Sequence, residues 1–435
     1  MRLKPLVPLI LKQCPGASTS VSGWVQSCRK MKNVAFIDIN DGSSIQSLNV
    51  VTTPDKVAGI QTGACVKIDG KLVESSGKQK LELQAENISI YGNVGSDYPL
   101  QKKYHSSEFL RTLPHLRWKT RHNAQILRTR SWMLSRLSQF FDSRRMVQVN
   151  TPVLTSSDCE GAGEVFELSK GPEFFGKNAY LTVSSQLHLE AYVAALNRVW
   201  TLTPAFRAEA SDTNRHLSEF WLVEAELAFI DREQLIGVCI DMIHSIIPSA
   251  EIAQGLLDAK RSDEERAELE TRWDWLGRDW PVISYTEALD LVNAESDLRP
   301  LKWGENIPSL HEKFIAGEIM KAPTVITDYP LSLKPFYMSK SSETTADCFD
   351  ILLPEIGEIV GGSMRESDYD TLLKNIKASG MSLESIEWYL DLRKHGSFPH
   401  GGYGLGLERM IMYACGLDNI RDAVGFVRHF KNLPC

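Results

Sequence analysis

FRAEASDTNRHLSEFWLVEAELAF (206–229) decides how the fold is read. Two runs with strand-like alternation flank a polar loop. Side chains alternate faces along a strand, so Arg207 and Glu209 share one face of the first run. On the return run Phe220, Leu222, Glu224 and Glu226 share a face, while Trp221, Val223, Ala225 and Leu227 share the other. An apolar face backing a face of Arg, Glu and one Phe is unusual for a strand that only builds a core. A surface salt bridge accounts for Arg207 and Glu209 taken alone. A ligand that is anionic in one part and flat in another accounts for the whole face.

Two later stretches carry complementary groups. FPHGGYGLGLERMIMYACG (398–416) sets four glycines before an apolar helix whose first turn holds Glu408 and Arg409. Glycines leave room beside a ligand, and Arg409 at the helix start suits a terminal phosphate. FDILLPEIGEIVGGSMRE (349–366) puts Asp350 and Glu358 on adjacent strands around a turn. Two carboxylates near phosphates can hold Mg²⁺. A flat heterocycle can then lie on Phe220, with Arg207 on an inner phosphate and Arg409 on an outer one. Neither a GxxxxGK[ST] loop nor a GxGxxG after a strand occurs, which excludes the P-loop and Rossmann readings.

Outward from these stretches, strand pairs joined by turns alternate with helices expected at 186–199, 232–247, 367–378, 382–394 and 406–415. This pattern predicts an α+β catalytic domain over 121–435, an antiparallel sheet flanked by helices. A helix is expected over 121–146, followed by VQVNTPVL as a strand confined by Pro152 to an edge. Together 121–154 is the expected homodimer seam. The charge-rich 251–275 reads as a solvated helical insertion. Residues 21–95 read as about five short strands with Asp-Gly and Ser-Gly turns, which suits an OB-type barrel. Residues 96–120 read as a hinge, and 1–20 as a flexible N-terminus or a targeting segment.

The chain has 435 residues, 43% hydrophobic and 24% charged, the composition of an ordinary globular protein. Its apolar runs are too short to span a bilayer, so no membrane partner is expected. The eight cysteines form no CxxC pair, which gives no zinc site or disulfide framework. Net charge is −7, yet residues 1–120 hold 16 Lys and Arg against 9 Asp and Glu. A basic, strand-rich front end fits single-stranded nucleic acid, with Phe36 as a stacking residue and Arg29 nearby. Phe36 in the barrel core is the other reading. Arg2, Lys4 and Lys12 precede the first acidic residue, Asp38, which favours a mitochondrial matrix location over a cytoplasmic one.

In order along the chain, VNTPVL, FRAE…RHLSEF and GGYGLGLER resemble motifs 1, 2 and 3 of class II aminoacyl-tRNA synthetases. With GWV…FIDINDGS at the front, the chain is similar to the aspartate/asparagine branch, whose OB domain binds the anticodon. DCEGAGEVFEL (158–168), SSQLHLE (184–190) and GEIVGGSMRE (357–366) resemble asparaginyl-tRNA synthetases. The resemblance implies ATP, L-asparagine and tRNA(Asn) as substrates, with Mg²⁺ on Asp350 and Glu358. It implies that Glu160 and Ser184 hold the substrate ammonium, that Gln186 touches the amino acid, and that Arg207 binds the α-phosphate and the carboxylate. Glu209 would reach the adenine edge, Arg215 and His216 the outer phosphates, and Phe220 would stack on adenine. Asn49 or Gln46 would read the anticodon beside Arg29 and Phe36.

Aspartate-specific relatives carry a lysine three residues after the glutamine matched by Gln186. Leu189 stands there instead, and Glu224 with Arg365 is expected to read the asparagine amide. The alternatives are an aspartyl-tRNA synthetase, discriminating or not, an ammonia-dependent asparagine synthetase, and a non-catalytic RNA-binding paralogue.

Overall fold

The structure, a computed structural model, describes residues 6–77, 79–156, 164–260, 262–295 and 297–434. The chain forms two compact units, Met1–Arg128 with Ala253–Arg261, and Thr129–Ile252 with Ser262–Cys435. The division falls inside the helix Arg121–Ser143, not at its start as the sequence suggested.

In the first unit β1 (Ser18–Lys30), β2 (Ala35–Asn40), β3 (Leu48–Thr52), β4 (Cys65–Glu74) and β5 (Leu81–Gly92) close into a barrel in the order β1-β2-β3-β5-β4. Alternation fixes which side is core: Ile37 and Ile39 are fully enclosed, while Phe36 between them and Ala35 faces out at 38% exposure. Asn40 closes the loop after β2, donating from Nδ2 to the Ser44 and Gln46 carbonyls and accepting the Gly42 N–H. From Leu6 on, the N-terminal segment is folded, which corrects the expectation of a flexible 1–20. Val7–Ile10 is a short helix, and Val7 and Ile10 belong to the barrel core. The hinge region also holds structure, with helical turns at Ser107–Arg111 and Arg117–Lys119.

The second unit is built on β6 (Val147–Gln148), β7 (Leu154–Thr155), β8 (Tyr180–Leu181), β9 (Arg198–Phe206), β10 (Glu219–Ala228), β11 (Val282–Ser284), β12 (Thr324–Thr327), β13 (Cys348–Leu353), β14 (Gly357–Met364) and β15 (His400–Gly406). Eight of these form one sheet in the order β11-β12-β13-β14-β15-β10-β9-β6, and β7 pairs with β8. The six central strands run antiparallel to one another, but each edge strand runs parallel to its neighbour, so the sheet is mixed. VQVNTPVL is not one strand. Pro152 has no N–H to give a ladder, and β6 and β7 on either side of it join different sheets.

Helix Gln186–Leu196 stops short of the expected 199 because Asn197 takes a left-handed φ of 68° and β9 begins at Arg198. The helix at 121 ends at Ser143 rather than 146, with Arg145 at φ 56° turning the chain. The 251–275 insertion is two helices, Ala250–Ala259 and Asp263–Leu276. The second is not merely solvated. Leu269 and Leu276 are buried, Trp273 Nε1 donates to the Ala414 carbonyl at 3.0 Å, and Tyr413 OH donates to the Arg272 carbonyl at 3.0 Å. It therefore buttresses helix Leu407–Cys415, of which Arg409 alone is not buried. Among the described residues no single helix is long and apolar enough to cross a membrane.

Candidate active site

Strand register builds the floor of the site. Asp350, Gly361, Gly404 and Glu224 occupy one transverse row across β13, β14, β15 and β10. The two middle positions carry no side chain, so the backbone positions of the two acids lie three strand spacings apart, about 14 Å at roughly 4.8 Å per strand. The next row on the same face holds Ser363, Gly402 and Glu226. A cavity of about 460 Å³ opens above, with Phe220, Leu222, Glu224 and Glu226 on its wall as the alternation of β10 requires. That volume is ordinary for a small-molecule site.

Cations gather around Glu358 at one part of this cavity. Burial opposes its ionisation, but Arg409, Lys334, Arg215 and Arg207 outweigh burial and hold its carboxyl below the ordinary range. Arg409 Nη1 donates to the Glu358 carbonyl at 2.8 Å. Arg207 lies 5.6 Å from the Phe220 ring centre and 3.8 Å from Glu209. Strand β9 ends at Phe206, so Arg207 and Glu209 project from the start of the loop rather than from a strand face. His216 Nδ1 meets Thr213 and Ser211 hydroxyls, and its Nε2 lies 3.5 Å from Glu209. Burial lowers the His216 pKa against the pull of Glu209.

Three residues here were missed by the sequence reading. Lys334 Nζ donates to Asp350 Oδ2 at 2.8 Å, so half of that carboxylate already has a cation. Ser309 and Glu312, on the helix Ser309–Phe314, receive the Arg215 guanidinium. Glu312 also accepts the Glu358 N–H at 3.2 Å, and burial together with Glu358 pushes its carboxyl up to about 7. Arg215 Nε is buried and meets no acceptor among the described residues. No motif or periodicity marks these three positions in the sequence.

In a second group of polar residues, Arg365 and Arg393 each meet a carboxylate. Glu224 accepts from Ser184 Oγ at 2.5 Å and from the Ser185 N–H at 3.0 Å, which pins the turn that opens helix Gln186–Leu196. Gln186 Nε2 donates to Glu190 at 3.1 Å. Arg365 is bound on two prongs by Glu226, at 2.9 and 3.0 Å, and donates from Nη1 to Ser363 Oγ at 2.6 Å. Behind them Glu190 accepts from Arg393 at 2.6 Å and Tyr389 at 2.8 Å, with His400 Nε2 at 2.9 Å. Burial opposes the Glu190 charge, yet Arg393 and His400 hold its carboxyl far below the ordinary range. Leu189 lines the cavity at the position where aspartate-specific relatives are expected to carry lysine. Glu160, expected beside Ser184, lies outside the described residues.

The structure anchors the third motif to the second. Glu408 is buried, takes Arg130 at 2.6 Å, and accepts the Trp221 N–H at 2.9 Å. This fixes Arg409, one residue on, relative to β10. In the first unit, Arg29 and Phe36 are direct cross-strand partners, and Asp38 pairs with Asn49 on β3. Arg29, Phe36 and Asn49 are all exposed, which removes the core reading of Phe36. Gln46 sits in the loop before β3, off this strand face.

Residues 106–429 match the family described as tRNA synthetases class II (D, K and N), and 19–91 match the OB-fold nucleic acid binding domain. The chain belongs to the class II tRNA synthetases. It is 42% identical to the mitochondrial asparagine–tRNA ligase of Saccharomyces cerevisiae, over 94% of this chain and 92% of that one. It is 41% identical to the asparagine–tRNA ligase of Microcystis aeruginosa, over 95% and 96%. The crystal structure of asparaginyl-tRNA synthetase from Pyrococcus horikoshii complexed with asparaginyl-adenylate matches all of both chains with a TM-score of 0.90 at 29% identity. In this synthetase the described residues expected for ATP, Arg207, Glu209, Arg215, His216, Phe220, Glu358 and Arg409, line the same cavity as Ser184, Gln186, Glu224 and Arg365.

Proposed function

We propose that this synthetase activates L-asparagine with ATP and transfers it to the 3′ end of tRNA(Asn). The observation that carries the reading is the single cavity shared by the cations around Glu358 and by the Ser184–Gln186 and Glu224 group. An oxygen of the asparagine carboxylate attacks the α-phosphorus, the bond to the β-phosphate oxygen breaks, and pyrophosphate leaves. The terminal adenosine hydroxyl of the tRNA then attacks the adenylate carbonyl and AMP leaves. No side chain need act as a base in the first step, because the nucleophile is already a carboxylate.

Arg207 neutralises the α-phosphate and orients the carboxylate, Phe220 carries the adenine, and Glu209 accepts from its edge. Arg215, His216 and Arg409 hold the outer phosphates, and the unpartnered Arg215 Nε supports an anion there. Positioning and charge neutralisation of this kind account for most of the acceleration. Ser184 and Glu160 hold the ammonium. Asp350 and Glu358 fit a divalent ion: a Cβ at Gly361 would stand 3.5 Å from Asp350 Oδ1 and 3.7 Å from Glu358 Oε1, so both oxygens border a gap without a side chain. Mg²⁺ held there would offset phosphate charge.

The exposed face that carries Arg29, Phe36 and Asn49 is the proposed anticodon contact. Location in the mitochondrial matrix is supported by the S. cerevisiae relative and by a second mitochondrial asparagine–tRNA ligase in Schizosaccharomyces pombe, 41% identical. Processing on import would spare Val7 and Ile10, which complete the barrel. Exposed Val147 and Leu154 support a homodimer through 121–154. Side-by-side ATP–pyrophosphate exchange with asparagine and aspartate, followed by charging of tRNA pools, tests the activity. Exchange with aspartate alone would overturn it.

A further inference from the structure

We propose that Arg421 is a positioning residue for ATP, which holds the loop 207–218 so that Arg215 and His216 face the outer phosphates. This rests on the reading of those two residues as phosphate contacts, and adds what sets their geometry.

The loop joins β9 to β10 and is supported from two sides. On one side Arg215 is received by Ser309 and Glu312. On the other, the segment that follows helix Leu407–Cys415 takes hold of the loop at several points. The Ile420 N–H donates to the Asn214 carbonyl at 2.9 Å, and Asn214 Nδ2 donates to the Asp418 carbonyl at 2.9 Å. The Ser218 N–H donates to the Arg428 carbonyl at 2.8 Å. Ile420 itself lines the cavity. Arg421 closes the contact: its Nη2 donates to Asp212 Oδ1 and reaches the Thr213 carbonyl at 3.4 Å. The Thr213 hydroxyl in turn meets His216 Nδ1. One guanidinium thus acts through two loop residues on the imidazole beyond them.

Local structure presents Arg421 for this task. Gly416 ends the helix at φ 61°, a left-handed turn that suits glycine. Asn419 Oδ1 then accepts the Arg421 N–H at 3.0 Å and opens the short turn Ile420–Asp422. The segment leaves the same helix that carries Arg409, so one continuous stretch sets both Arg409 and the loop. Asp212 would otherwise add a negative charge to a loop that receives phosphates, and Arg421 offsets it. His429 lies 3.5 Å from Asp212, but burial and Arg421 lower its pKa, so Arg421 carries the charge that meets the carboxylate. The Asp212 side chain is 67% exposed, and an ion pair open to water adds little stability. What the pair fixes is the placement of the loop, which catalysis by positioning requires.

The test is asparagine-dependent ATP–pyrophosphate exchange with ATP and asparagine varied separately. Arg421→Ala is expected to raise KM for ATP about tenfold, the scale of one charge-assisted hydrogen bond. KM for asparagine should stay within about twofold, and the melting midpoint within about 2 °C. Arg421→Lys, which keeps a cation, should recover part of the ATP affinity. Asp212→Ala should reproduce the rise, and the double variant should be no worse than either single one, because the two groups act as a unit. An unchanged KM for ATP in Arg421→Ala, an equal rise for both substrates, no recovery in Arg421→Lys, or additive losses in the double variant overturns the proposal. Should Arg421→Ala not fold, Asp212→Ala at its exposed position carries the test, and an unchanged KM for ATP there also overturns it. Failure of the wild type to use asparagine would refute the function reading instead.

Discussion

Lys334 is the counter-ion of Asp350, with Nζ 2.8 Å from Oδ2 and both side chains 14% exposed. Burial lowers the Lys334 pKa, and the carboxylate more than restores it. The ammonium thus occupies one edge of Asp350 and leaves Oδ1 towards Gly361. Lys334→Met is expected to reduce folding stability by about 3 kcal/mol, the usual cost of orphaning a buried charge. Urea denaturation measures this, and adding Asp350→Asn is expected to recover part of the loss. Additive losses in the double variant would show that the two groups are not coupled.

Phe220 stands beside Arg207 on the cavity wall. Replacing the ring by leucine keeps an apolar side chain and removes the flat face. Phe220→Leu is expected to raise KM for ATP by about tenfold, the scale of one stacking contact. KM for asparagine should stay within about twofold, since the lost contact is to the base. Steady-state exchange kinetics varying each substrate separate the two.

On the barrel, Phe36 and Arg29 face each other across β1 and β2. Phe36→Ala is expected to raise KM for tRNA by roughly tenfold to a hundredfold. Amino-acid-dependent pyrophosphate exchange needs no tRNA in the proposed first step and should be unaffected. A loss of exchange activity would mean that the substitution had damaged more than an RNA-binding face.

Glu190 links pH to stability. Its carboxyl is depressed below the ordinary 4.5 because Arg393 and His400 outweigh burial. A depressed acid stabilises the fold above its unfolded pKa and loses that contribution as pH falls through the folded value. The stability advantage of wild type over Glu190→Gln should therefore be complete at about pH 6 to 7 and shrink below about pH 4.5. Denaturation midpoints across that range check the sign. An advantage that grew towards acid would contradict the assignment.

The catalytic sheet was legible where period-two alternation met unusual residue types. Phe220, Leu222, Glu224 and Glu226 share the cavity wall as their spacing demands. The same alternation placed Glu226 beside Glu224, but its partner Arg365 lay 139 residues away. Glu190 follows Gln186 by one helical turn, a spacing that could have flagged it. Lys334 and Glu312 were invisible, because only the placement of the turn Leu331–Leu333 and of the short helix Ser309–Phe314 brings them to Asp350 and Glu358. In the insertion, Leu269, Trp273 and Leu276 recur at helical spacing, yet the surrounding charges concealed the buried stripe.

The bare floor formed by Gly361 and Gly404 has a consequence for how this enzyme can change. Any residue introduced there brings atoms into space the substrates need, so the bed of the cavity is closed to gradual tuning. New substrate preference must come from the walls, where Leu189 and Tyr337 can be exchanged one at a time. Altering taste without altering turnover chemistry is therefore a matter of few positions, and all of them lie on the rim of a surface that must itself stay blank.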